Sequence, residues 1–314
     1  MKHTYRTALL VVCLSILLAA FVPTGNTPLT SEDLGRLLFE DKILSSDQSI
    51  SCASCHIAAF AFGDTSAVSL GVGGQKGTRN TPAITNMTYR SSFFWDGRSP
   101  SLEHQVLQPI ENPVEMNLSL PVALERLRSS ARYQGYFRSV YGKEPDSLSL
   151  ADALASFVRT LETGNTPFDR WMRGDEAAMS ASAVRGRQIF MKKGKCFDCH
   201  FGPDFTGDEF RNIGLFDGKE LQDTGRFAIS KDSSDLGRFK VPGLRNVAVS
   251  APYMHNGSFR TLREVIDYYD QPDKFVTHSI NRDTLFARPL GLTEQEKTDL
   301  EAFLHALTDD RFVK

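Results

Sequence analysis

Two copies of Cys-x-x-Cys-His constrain this chain more than any other feature of it. One is Cys52-Ala53-Ser54-Cys55-His56 and the other is Cys196-Phe197-Asp198-Cys199-His200. The pattern reads as covalent attachment of a c-type haem. Two thiols form thioethers to the haem vinyls, and the adjacent imidazole reaches the iron from the proximal side. The tight spacing lets both sulfurs and the ligand nitrogen converge on one macrocycle. The competing reading is a zinc site built from two Cys-x-x-Cys knuckles. Such knuckles usually stand about 15–20 residues apart, whereas these begin 144 apart, at positions 52 and 196. Zinc also leaves the histidine after each pair unexplained. Two covalent haem c groups are therefore expected.

The remaining cysteine, Cys13, lies in the N-terminal segment, so there is no disulfide framework to propose. The net charge of −2 implies no polybasic surface and argues against nucleic-acid binding. At the N-terminus, Lys2 and Arg6 precede an apolar run from Ala8 to Val22, which Pro23, Thr24, Gly25 and Asn26 break. That run matches the core of an export signal and is short against the roughly 20 residues of a spanning helix. Residues 1–26 read as a cleaved export signal, with an uncleaved inner-membrane anchor as the alternative. A lipoprotein reading through Cys13 is weak, because Leu10-Val11-Val12 puts no small residue before it. Either favoured reading places the folded part in the periplasm.

The chain repeats itself once. Gly35-Arg36-Leu37-Leu38-Phe39 precedes the first motif and Gly186-Arg187-Gln188-Ile189-Phe190 precedes the second. Phe62-Gly63-Asp64 follows the first and Phe205-Thr206-Gly207-Asp208 the second. Each half ends in a helical pattern, Leu150 to Leu161 and Glu294 to Leu307. Thr293 and Glu296 have the spacing of a capping box for the last helix. We read a duplicated unit and a mainly α fold. It comprises two cytochrome c-like domains, residues 27–167 and 168–314, each wrapped around a covalently bound haem with long loops. Pro100, Pro109, Pro113, Pro242 and Pro252 mark irregular segments within the halves.

Several further segments carry a resemblance to a known family. In the first half they are Gln75-Lys76-Gly77-Thr78-Arg79-Asn80-Thr81-Pro82, Phe94-Trp95-Asp96-Gly97-Arg98, Gln105, and Pro109 through Met116. In the second half they are Phe239 through Asn246 and Ala251 through Gly257. The chain resembles the bacterial di-haem cytochrome c peroxidases, and within them the MauG-like enzymes, from Leu34 to Phe312. The resemblance implies that His56 and His200 are the proximal iron ligands and that the N-terminal haem reacts with peroxide. It implies that Trp95 relays electrons between the haems and that Gln105 and Glu115 lie in the distal pocket of the reactive haem. It also implies a calcium ion held by Asn80 and the backbone carbonyls of Ser250 and Pro252.

Two departures from the gated peroxidase pattern set the expected subtype. Where typical members carry a histidine that blocks the resting reactive iron, this chain has Val72, which cannot bind iron. Where they carry a methionine ligand, fourteen residues after His255, it has Tyr269. A phenolate favours oxidised iron and lowers its potential, whereas a thioether raises it. Tyr269 also falls on a helical stripe with Leu262, Val265 and Ile266, so a packing role fits the pattern equally well. Tyr268 is its one-residue rival, and Met254 and His278 are further candidates. Glu115 can titrate and serve as the proton-transfer group, while Gln105 can only orient. His104, one residue before Gln105, is expected to point elsewhere, since adjacent helical residues diverge by about 100°. Arg79, Arg98 and Arg245 either pair with haem propionates or form ordinary ion pairs.

The leading expectation is a MauG-like peroxidase or oxidase with an open N-terminal haem and a His/Tyr-ligated C-terminal haem. Its partners would be hydrogen peroxide and either a small redox protein, such as a cytochrome c or cupredoxin, or a protein substrate. The alternatives are a cytochrome c peroxidase fed by a small redox protein and a non-catalytic di-haem electron carrier. The carrier would need a sixth ligand on the first iron, which Val72 cannot provide and which His104 or Met116, for instance, could.

Overall fold

The computed structural model describes residues 28–312. The proposed leader, residues 1–26, lies outside them. Helices dominate, at α1 (Ser31–Glu40), α2 (Leu102–Glu111), α3 (Leu120–Ser129), α4 (Ala131–Tyr141), α5 (Ser147–Arg159), α6 (Pro167–Met172), α7 (Ala181–Met191), α8 (Phe227–Ser230), α9 (Leu262–Asp270) and α10 (Glu294–His305). Two antiparallel two-residue strands, β1 (Phe210–Arg211) and β2 (Phe239–Lys240), form the one named sheet among the described residues. The fold is mainly α, as the near absence of period-two patterning requires.

The helix ends follow from local chemistry. Thr30, Asp146, Thr166, Thr261 and Thr293 each begin a helix with a side-chain oxygen accepting from the N3 backbone N–H and a reciprocal N3 side chain. The Thr293–Glu296 box is the one expected. Helices α5 and α10 occupy the two predicted segments and stop one turn or less before Leu161 and Leu307.

The repeat is visible in the packing. Helix α1 lies against α5, and α7 against α10. At both crossings a glycine lets backbone touch backbone. A Cβ on Gly35 would stand 1.9 Å from the Ala153 carbonyl oxygen, and one on Gly186 would stand 1.8 Å from that of Asp299. Only a residue without a side chain fits there. One apolar cluster surrounds the first crossing, with Leu34, Leu38, Leu150 and Leu154 essentially inaccessible to solvent. A second surrounds the other crossing through Phe190, Phe303 and Leu307. A third, smaller one holds Leu215, Phe259 and Tyr268.

One expectation is corrected. Pro109 lies inside α2, in its last turn, and not in an irregular segment. A proline lacks the N–H that would bond the carbonyl four residues back, here that of Gln105. The helix tolerates this because it ends two residues later, at Glu111.

Candidate functional site

A cavity of about 990 Å³ runs between the two halves. This is the upper end of the range for ligand-binding pockets. All four motif cysteines and both motif histidines border it. The two motifs, far apart in sequence, thus open on one chamber.

Both motif histidines are held in the same way. His56 Nδ1 donates to the carbonyl of Phe62 at 2.8 Å, and His200 Nδ1 donates to that of Phe205 at 2.9 Å. A carbonyl can only accept, so Nδ1 carries the proton and Nε2 is left as the free donor atom for a metal. Left-handed backbone at Ala61 (φ 53°), Phe62 (φ 58°) and Phe205 (φ 54°) brings those carbonyls round. Burial pulls the His200 imidazole down to about 4 and pulls His56 down as well, so both rings are neutral. The cysteines are unpaired. Burial pushes the thiols of Cys52 and Cys196 up to about 12 and that of Cys199 up to about 11. Neutral imidazoles beside unpaired, protonated thiols in a largely apolar chamber fit covalent haem attachment. Among the described residues, no three or more His, Cys, Asp or Glu side chains converge to hold a metal ion by themselves.

Two polar side chains of the first half, those of Gln105 and Glu115, border the chamber. Helix α2 carries Gln105 into the chamber. One position earlier, His104 is exposed and bonds Ser99 Oγ through Nδ1 at 2.8 Å, outside the chamber as the helical angle predicts. Glu115 also borders the chamber. Asn112 Nδ2 donates to its carboxylate at 2.6 Å, and the Val72 N–H donates to its backbone carbonyl at 2.8 Å. Burial raises the Glu115 pKa, and the Asn112 bond and nearby Arg98 only partly offset this. The carboxyl lies close enough to Cys52 and Cys55 to raise the pKa of both. Val72 does not line the chamber, and the imidazoles that do are His56, His200 and His255.

Trp95 also borders the chamber, and its indole Nε1 donates to the carbonyl of Asn80 at 2.8 Å. The Asn80 N–H in turn donates to the His255 carbonyl at 2.7 Å. The Trp95 loop is closed by Arg98, whose Nη1 lies 3.0 Å from Asp96 Oδ2. His255 went unassigned in the sequence reading. It is buried and stacks face to face on Phe239 with ring centroids 3.6 Å apart. A readable signal places it. From Pro82 to Leu102 the chain matches Pro242 to Leu262 at a constant offset, through Ile84/Leu244, Asn86/Asn246 and Gly97/Gly257. The bridges Phe93–Ser99 and Tyr253–Phe259 and the left-handed residues Phe94 and Met254 repeat likewise. His255 is therefore the second half's counterpart of Trp95.

The adjacent tyrosines of α9 part company. Tyr268 is fully buried and its hydroxyl donates to the Ile213 carbonyl at 2.7 Å. Tyr269 borders the chamber, and its hydroxyl has no hydrogen-bond partner among the described residues. Burial pushes its phenol pKa up, with smaller contributions from Tyr268 and the thiols of Cys199 and Cys196. Met254 also borders the chamber, whereas His278 is exposed and does not. Met116 is buried and also borders the chamber, and its backbone N–H bonds the Pro109 carbonyl.

The three arginines named from sequence are bound to carboxylates of the protein. Arg79 pairs with Asp96 and Asp223, each at 2.6 Å. Arg98 pairs with Asp96, and Arg245 pairs with Asp169 at 2.9 Å and Asp204 at 3.2 Å. The residues expected to hold calcium, Asn80, Ser250 and Pro252, all border the chamber. The Asn80 amide N–H groups point to the Ser66 and Ala67 carbonyls. Asn80 Oδ1 and the carbonyls of Ser250 and Pro252 accept no hydrogen bond among the described residues. Oxygen donors of this kind suit a hard cation.

Fold and site define a c-type redox protein whose two attachment motifs share one chamber. The model of the di-haem cytochrome c peroxidase family matches residues 30–177. The methylamine utilization protein MauG of Methylorubrum extorquens is 39% identical over 91% of this chain and 80% of its own length. The cytochrome-c peroxidase IdrP1 of Denitromonas iodatirespirans is 36% identical over 91% and 84%. A crystal structure of a MauG-like protein associated with microbial copper homeostasis superposes with a TM-score of 0.82 at 31% identity, covering 90% of this chain and 92% of that one. The chain belongs to the di-haem cytochrome c peroxidase family. It is a haem peroxidase, an oxidoreductase acting on hydrogen peroxide. Family membership brings two haem c groups and, as partner, a redox protein or a protein substrate.

Proposed function

We propose that this enzyme is a MauG-like, periplasmic peroxidase, with two cytochrome c-like domains at residues 27–167 and 168–314. Its first haem is open to peroxide and its second is held by His200 and Tyr269. The observation that carries this reading is the contrast between Tyr268, tied to the Ile213 carbonyl, and Tyr269, which borders the chamber with a hydroxyl that has no hydrogen-bond partner among the described residues. Val72 supports the open first haem, since it lies off the chamber and carries no donor.

The bound haems supply peroxide activation and the storage of oxidising equivalents. The chain's own residues do the rest. Cys52, Cys55, Cys196 and Cys199 anchor the groups, and His56 and His200 present Nε2. Gln105 orients the peroxide through its amide. Glu115, with its pKa raised by burial, holds a proton nearer neutral pH than an ordinary carboxyl and can hand it to the outer peroxide oxygen. Trp95, anchored on Asn80, couples the two sites, and Asn80, Ser250 and Pro252 offer oxygens to a calcium ion between them.

Electron paramagnetic resonance of the resting protein tests the proposal. One high-spin and one low-spin ferric signal are expected, and Tyr269→Phe should change the low-spin one. Two low-spin signals in the resting protein, or an unchanged Tyr269→Phe spectrum, would refute the assigned ligation. A peroxide-inert protein with both haems six-coordinate would instead be an electron carrier.

A further inference from the structure

Burying a guanidinium without a counter-charge is costly, so a buried arginine without one marks a place where a ligand supplies it. The chamber is bordered by several cations. Arg79, Arg98, Arg211, Lys240 and Arg245 are buried or half-buried there, and each pairs with a carboxylate of the protein at 3.2 Å or less. Arg90 differs. It borders the same chamber and is not exposed, yet its side chain makes no ion pair and no hydrogen bond among the described residues. The acids nearest to it are engaged elsewhere. Asp204 faces Arg245, Asp208 binds Lys240 and Ser91, and Glu162 accepts from Asn86 and Thr88.

The chain makes room for this side chain. A Cβ on Gly243 would lie 2.5 Å from Arg90 Nη2. The positions matching Gly243 and Arg90 in the other half's copy of the repeat are Ala83 and Ser250. Where the arginine is replaced by a short serine, the glycine is replaced by a residue with a methyl group. The guanidinium and the missing Cβ thus occur together, and the same Cβ would lie 3.0 Å from the carbonyl oxygen of Asp204, four residues after His200.

We infer that Arg90, a residue of the first half, is the cation that holds a propionate of the second haem. The planar fork of a guanidinium matches a carboxylate, and the haem is the one bound group of this family that brings free carboxylates into the chamber. The two halves are then tied through the cofactor, and the paired charge helps to set the potential of the second iron.

The inference rests on two bound haems but not on the proposed open and tyrosine-ligated states, so its test reads neither peroxide turnover nor spin state. Arg90→Leu, Arg90→Lys and Gly243→Ala holoproteins are compared by resonance Raman spectroscopy and redox titration. In Arg90→Leu the propionate bending band of one haem should shift. The potential of the second haem should fall, because a lost positive charge favours ferric iron. Arg90→Lys should restore most of the potential but not the band, having charge without the fork. Gly243→Ala displaces the guanidinium while keeping its charge, and should move the band in the same direction as Arg90→Leu. Unchanged propionate bands in both Arg90→Leu and Gly243→Ala would overturn the assignment. If Arg90→Leu does not accumulate, the Arg90→Lys and Gly243→Ala spectra decide alone.

Discussion

The indole N–H of Trp95 is bound at 2.8 Å to the backbone carbonyl of Asn80, and that residue's own N–H reaches the carbonyl of His255. The backbone of one residue, Asn80, therefore ties the two equivalent loops of the repeat to each other. It also anchors the Trp95 indole.

Trp95→Phe should keep both haems attached and cost about 1 kcal/mol of stability for the lost hydrogen bond. Its main effect should be kinetic. Stopped-flow spectra after peroxide addition should show the second iron oxidised far more slowly than the first. Undiminished joint oxidation would remove Trp95 from the relay.

Glu115→Gln should lower the rate of the peroxide reaction by about 10²–10⁴-fold. The sign of the pH dependence follows from the direction of the shift. In the role proposed for Glu115 the protonated carboxyl is the active form, and burial raises its pKa. Wild-type rates should therefore hold at low pH and fall as pH rises through that raised value. The Glu115→Gln profile should be flat over the same interval, and an identical limb in both proteins would point to another group.

Gly35→Ala and Gly186→Ala should each destabilise the protein by about 1–3 kcal/mol in denaturant unfolding, as overpacking does. The gain of up to about 1 kcal/mol in helix propensity is too small to compensate. The new methyl would meet a carbonyl oxygen of the facing helix at less than 2 Å, and backbone cannot move aside as a flexible side chain can.

Asp299 accepts hydrogen bonds from Arg185, Ser182 and Gln295, and these hold its carboxyl down at about 2. A depressed folded-state pKa stabilises above the unfolded value of about 3.9, and the contribution disappears as pH falls through the folded one. Asp299→Asn should therefore lower thermal stability at neutral pH, with the difference from wild type shrinking between about pH 4 and pH 2. A constant difference across that window would show that the ion pair is not its source.

Much was legible in the chain alone. Two Cys-x-x-Cys-His motifs, the Gly-Arg-x-x-Phe repeat and the last two helical stripes are local patterns, and local chemistry carries them. The same holds for the Thr293 cap and the outward turn of His104, since both follow from helix geometry. Pro109 was misjudged because proline disfavours helix interiors in general, whereas the last turn of α2 tolerates it.

What only tertiary structure decided depends on which groups meet. No spacing rule says that Arg79, Arg98 and Arg245 find carboxylates while Arg90 finds none, because their partners lie anywhere from two to 144 residues away. Nor does the sequence separate Tyr268 from Tyr269, since both fit an amphipathic helix. The Ile213 carbonyl engages one hydroxyl, while the other tyrosine borders the chamber. Covalent and periodic constraints are written along the chain, whereas counter-charges and hydrogen-bond partners are chosen by proximity in space.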